Sequence, residues 1–117
     1  MSELTDSGYQ SIREYVRNNW SHIEIYDDAK NAITRVDIDG DVRCQWKDLD
    51  SDKTLQVEFS VTGSDGDIPI PTTLKYSAIW DSSTGGYRTT EKEQMAEAVF
   101  NQNGDNVVVT HSIDIPQ

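Results

Sequence analysis

The stretch "LQVEFSV", residues 55–61, alternates without a break. Leu55, Val57, Phe59 and Val61 point one way, and Gln56, Glu58 and Ser60 the other. That period of two is the period of a strand with one dry face and one wet face. A parallel sheet covered on both sides would instead read as a continuous apolar run. This segment therefore predicts a largely antiparallel sheet with water on one side.

Working outward, the same period recurs. "HIEIY" pairs Ile23 with Ile25, "VDI" pairs Val36 with Ile38, and "VRCQW" aligns Val42, Cys44 and Trp46. "LKYSAIW" sets Leu74, Tyr76, Ala78 and Trp80 together, and "NVVVTHSIDI" aligns Val107, Val109, His111, Ile113 and Ile115. Turn signals separate the runs: "YDDAKN", "DIDGD", "DLDSDK", "TGSDGDIPIP", "DSSTGG" and "NQNGDN". Six to eight short strands at this spacing predict a sandwich or barrel of mostly antiparallel strands, and the antiparallel β-sandwich is the fold expected here. "DSSTGG" reads as a hairpin corner returning through "YRTTE", with Gly85 and Gly86 supplying positive φ. "TEKEQMAEAVF", residues 90–100, has the composition of a short helix and the position of an edge strand or an extended arm.

The N-terminal residues 4–20 change period. Thr5 is a ready N-cap, Asp6 faces the positive helix end, and Leu4 can staple onto the first turn. Ile12, Tyr15, Val16 and Trp20 recur at three and four residues, and "RNNW" ends the run. One helix packed against the sandwich is predicted, with residues 21–117 forming the β part of a single domain.

The chain has 117 residues, with 21 acidic against 10 basic, a formal charge of −11 and a pI of about 4.3. Such a field repels a phosphate backbone, so nucleic acid is not an expected partner. The acid is spread over many loops and is mostly Asp, the composition of a surface solvated at high salt or of an ordinary acidic domain. "MSELTDSG" has no basic region followed by an apolar run, so no signal peptide is read, and no apolar stretch approaches a membrane span. The chain reads as soluble, with no membrane partner. Cys44 is the one cysteine, so no intrachain disulfide forms.

In order, "LTDSG", "HIEIYDD", "CQW", "LQVEFSV", "SAIWDSSTGG" and "NGDNVVVTHSIDI" resemble a family of small virion structural proteins. These belong to tailed viruses of bacteria and archaea and are described as tail-fibre-like, minor structural or capsid-decorating. The resemblance spans roughly Leu4 to Ile115. The chain is more acidic, poorer in Gly and Ala, and has a longer "SDGDIPIPTT" loop. The resemblance implies a β-sandwich that is not an enzyme. It implies an oligomer whose partners are itself and other virion proteins, placed as a capsid decoration or turret, or at the neck or tail. The acidic composition adds a halophilic host. The rival expectation is a binding module for a host-surface carbohydrate or receptor.

Chemistry is weighed residue by residue. "DIDGDVRCQWKD" spaces Asp37, Asp39 and Asp41 at alternate positions, with Asp48 further on, as oxygen ligands around calcium would be spaced. Against that, Val42 stands where an EF-hand needs Gly, Asp48 stands where it needs a bidentate Glu, and strand patterns flank the segment. The alternative is a solvated acidic turn. No other cofactor is expected. His111, on an apolar stripe, reads as a hydrogen-bonded core or interface histidine. His22 reads as facing solvent or the helix, and Cys44 as a small buried residue. Trp46 and Trp80 read as core, and Trp20 as core or interface. Ile68, Pro69, Ile70 and Pro71 cannot form a central strand, because both prolines lack an N–H. They either tuck over the sandwich or lie against a neighbour, and the neighbour is preferred. Pro116 is expected to stop strand pairing.

Overall fold

The structure, a computed structural model, describes residues 4–48 and 54–115. Residues 49–53, where a turn is expected, and Pro116 lie outside them. Among the described residues the fold is mainly β: seven antiparallel strands in two sheets, with one N-terminal helix. Helix α1 spans Asp6–Asn19. The strands are β1 (His22–Asp27), β2 (Ala32–Asp37), β3 (Cys44–Asp48), β4 (Thr54–Thr62), β5 (Thr72–Trp80), β6 (Glu93–Phe100) and β7 (Asn106–Asp114). One sheet runs β2-β1-β5-β6 and the other β3-β4-β7.

The segment read first forms the spine of the smaller sheet. Leu55, Val57 and Phe59 are wholly buried, and Val61 nearly so. They pair on one side with β3 and on the other, residue for residue, with Ile113, His111, Val109 and Val107 of β7. Ile23, Ile25, Leu74, Ile79 and Phe100 answer them from the larger sheet. Each such side chain contributes about 1.5–3 kcal/mol by leaving water.

Strand β5 departs from the predicted alternation. Tyr26 pairs with Tyr76 but Asp27 pairs with Leu74, so relative to β1 Lys75 is an extra residue. A bulge of one residue reverses the faces beyond it. Leu74 points inward, but so do Ser77 and Ile79, opposite Ile25 and Ile23. Tyr76, Ala78 and Trp80 therefore lie on the outer face, and Trp80 is not a core residue.

Two other expectations are corrected. Val42 is fully exposed in the turn before β3, and only Cys44 and Trp46 face the core. "YRTTE" does not form a strand: it returns beside β5 for a single bridge, Trp80 to Arg88, and then leaves. Of the readings open for residues 90–100, the edge strand is the one found: "EQMAEAVF" is β6. A strand of eight residues there completes the larger sheet and buries Phe100 at 1% exposure, which a helix beside β5 would not do.

Helix α1 begins as read. The Thr5 side chain accepts from the Gly8 N–H at 3.0 Å, and Trp20 closes the other end. Its rotation differs from the expected stripe. Tyr9, Val16 and Trp20 face the sandwich, whereas Ile12 and Tyr15 are 40% and 61% exposed. The molecule is elongated, 52 × 30 × 25 Å.

Candidate functional site

The acidic turn after β2 is organised by Arg43. Asp37 accepts from the N–H groups of Asp39 and Gly40, which closes the turn on itself. Asp41 forms two bonds with the Arg43 guanidinium, at 3.0 and 2.8 Å. From the loop after β4, Asp65 and Asp67 reach the same guanidinium at 2.9 Å. Arg43 holds the Asp41 carboxyl below the usual carboxylate range. Burial pushes Asp65 up, but hydrogen bonds from Thr62 and Arg43 outweigh it, and the net displacement is downward. Asp37, Asp39 and Asp41 do not converge, and no group of three or more His, Cys, Asp or Glu among the described residues is arranged to hold a metal ion. A guanidinium occupies the place where carboxylates do gather. The signal in the sequence was a single Arg inside an acidic run.

His111 sits between the sheets at 1% exposure. Its Nδ1 lies 2.8 Å from the Ser77 hydroxyl, and its Nε2 lies 3.1 Å from the Thr90 hydroxyl. Thr90 Oγ1 donates to the Glu91 carbonyl and accepts from the Ile79 N–H. It is therefore an acceptor for Nε2–H, and Nδ1 accepts from Ser77. Burial lowers the imidazole pKa to about 4, so the ring is neutral near pH 7. Glu93 lies 3.4 Å from Nδ1 but is half in water, and burial dominates. Hydroxyl, imidazole and carboxylate meet here, yet Ser77 and His111 are each 1% exposed. No substrate atom reaches them without parting the sheets. His111 is a hydrogen-bonded core histidine, as read. Cys44 is buried too, and burial pushes its thiol up to about 12. His22 is half-buried, and its Nδ1 lies 2.6 Å from the Ser21 hydroxyl.

The outer face of the larger sheet carries what the bulge exports. Trp80 Nε1 donates to the Tyr26 hydroxyl at 2.8 Å, and the Arg35 guanidinium lies 3.8 Å above the Trp80 ring. Burial and the neighbouring Glu24 push the Tyr26 phenol up to about 12. Arg35 also pairs with Glu24 at 2.9 Å and donates to the carbonyls of Ser82 and Gly85. This clamp fixes the loop 81–86. Asp81 Oδ1 accepts from the Tyr87 N–H, and Gly86, at φ +71°, has no room for a Cβ beside Asp81 and Ser82. Tyr87, at the base of the loop opposite Asp81, is 79% exposed. Alongside, Lys92 lies over the Tyr26 ring and Lys30 over Tyr76. Lys30 holds a left-handed φ of +66°, a conformation that favours glycine or asparagine. These residues were not legible as a group, because the bulge that turns Trp80 toward Tyr26 and Arg35 leaves no mark in the alternation.

The residues expected at an interface divide. Ile68 is 4% exposed and belongs to the core, so it is a plug under the loop and does not meet a neighbour. Pro69, Ile70 and Pro71 are exposed beyond it. Trp20 is half-buried against the core. No described helix is long and apolar enough to cross a membrane. Comparison with family models, curated proteins and solved structures finds no match.

Proposed function

We propose that this chain is a non-enzymatic structural subunit of a tailed-virus particle. In this reading it is a capsid decoration, turret, or neck or tail component of a virus with a halophilic host, and it works through contacts with copies of itself and other virion proteins. The observation that carries the reading is the double-sided helix. Tyr9, Val16 and Trp20 bind α1 to the sandwich, while Leu4, Ile12 and Tyr15 remain in water. A helix that is apolar on two sides is suited to an assembly and not to isolation. The order of short motifs along the chain supports the viral assignment, and the acidic surface supports a salt-rich setting. Sedimenting purified particles through a gradient and probing each fraction for this chain tests the reading. The chain is expected with the particles, and its confinement to the soluble fractions contradicts it.

One observation favours a second reading, attachment to a host-surface carbohydrate or receptor. The loop 81–87 is held by Arg35 and displays Tyr87, next in sequence to Arg88. Rigid aromatics flanked by small polar residues make effective contact loops. Binding to immobilised glycans that is abolished by Tyr87→Ala would support this second reading.

A further inference from the structure

We propose that α1 pairs with α1 of a second copy of this chain, antiparallel, through Leu4, Gly8, Ile12 and Tyr15. This rests on the assembly reading above and names its contact surface.

Gly8, Ile12 and Tyr15 follow at intervals of four and three, which places them on one stripe of the helix, and Leu4, just ahead of the Thr5 N-cap, lies beside Gly8 at the end of that stripe. That stripe is separate from the buried one. Leu4 is 52% exposed, Ile12 40% and Tyr15 61%. These are three of the eight large apolar side chains left in water among the described residues; two stand on α1 and the third just ahead of its N-cap.

Charge selects the occupant. Residues 4–20 carry Asp6 and Glu14 against Arg13 and Arg17, so the helix is balanced. Residues 21–117 carry 18 acidic and eight basic side chains. Two copies brought together by their sandwiches meet like charge with like. Brought together by their helices, they meet a balanced, apolar surface. Antiparallel packing also sets each helix N-terminus beside the other's C-terminus, which aligns the dipoles favourably.

Gly8 is the third strand of the argument. It lies in the first turn of the helix, where glycine weakens the helix relative to alanine. Nothing within the chain requires it. A Cβ added there would meet Thr5 Oγ1 at 3.5 Å and Leu4 Cβ at 3.6 Å, ordinary contacts. In an antiparallel pair whose axis passes beside Ile12, Gly8 of one helix faces Tyr15 of the other, and the missing side chain is where that ring sits. A single pair of 14-residue helices buries less than the roughly 800 Å² per partner of a standard interface. The pair is therefore weak and concentration-dependent in solution, and it gains strength where many copies are held together.

Sedimentation equilibrium of the full chain at low and molar salt, with Ile12→Lys and Gly8→Ala beside the wild type, tests the pairing. The wild type is expected to associate, more strongly at molar salt, which screens the sandwiches and strengthens apolar contact. Ile12→Lys is expected to be monomeric with unchanged circular dichroism and melting. Gly8→Ala is expected to melt higher, yet to associate about tenfold more weakly. No purely internal role for the glycine produces those opposite signs. An associated Ile12→Lys, or a Gly8→Ala that associates as well as the wild type, overturns the pairing and leaves the assembly reading standing. Association that weakens as salt rises also overturns the pairing alone. A wild type that stays monomeric at every salt overturns both.

Discussion

Ser77 of β5 and His111 of β7 meet at 2.8 Å inside the core, so a hydrogen bond joins the two sheets where apolar packing would otherwise be continuous. Ser77 faces inward only because of the bulge at Lys75. The histidine that the sequence placed on an apolar stripe therefore has a partner that the sequence placed on the wet face.

This pair makes stability depend on pH. The folded imidazole titrates at about 4, below its ordinary value of 6.5. Between those values the unfolded chain binds the extra proton, so stability rises with pH. The contribution is full above 6.5 and is lost as pH falls toward 4, on the order of 3 kcal/mol in total. Urea unfolding at pH 7 and pH 4.5 checks it. Wild type is expected to lose more stability than His111→Gln over that interval, and equal losses would contradict the assignment.

Arg43 holds three carboxylates that repel one another without it. Arg43→Met is expected to destabilise by about 2 kcal/mol at low salt, since the carboxylates stay crowded and unpaired. Molar salt is expected to recover part of that loss by screening. A loss that does not change with salt would show that the guanidinium acts through packing alone. The lowered Asp41 and Asp65 carboxyls add stability above their ordinary value of 3.8, and it disappears as pH falls below that.

Gly85 and Gly86 both hold positive φ, but only Gly86 is enclosed. Gly85→Ala is expected to cost about 1 kcal/mol for the backbone alone, and Gly86→Ala about 2–3 kcal/mol once the clash with Asp81 and Ser82 is added. Comparing the two melting temperatures is sufficient, and equal shifts would count against the clamp on this loop.

Ile68 and Ile70, two residues apart, have opposite roles. Ile68→Ala is expected to lose about 2–4 kcal/mol through the cavity it leaves, and Ile70→Ala under 0.5 kcal/mol. Denaturant midpoints of the two variants separate them. Similar values would return Ile68 to the surface role that the prolines around it suggested.

The legible parts of this fold are those where one rule acts alone. Strand β4 has no bulge and one dry face, so Leu55 to Val61 read directly as structure. Thr5 capped the helix where a short polar side chain was available to do so. The illegible parts are those where a single residue changes the phase. Lys75 is an ordinary residue in "LKYSAIW", yet as the extra residue it sends Trp80 outward and Ser77 inward. On the helix, Tyr9 and Tyr15 are chemically alike, and only the contact with the sandwich decides which one is buried. Among the acids, spacing alone suggested a calcium loop at Asp37, Asp39 and Asp41. The gathering of Asp41, Asp65 and Asp67 around Arg43 joins loops 24 residues apart in sequence, which no local motif records.

The most direct test of the structural role is the mass of the intact chain in solution, measured by light scattering after size exclusion from dilute to concentrated samples. The chain weighs 13.2 kDa. A subunit built to assemble gives a mass that climbs to a defined multiple of that value as concentration and salt increase. A mass fixed at 13.2 kDa under all of those conditions would contradict the account.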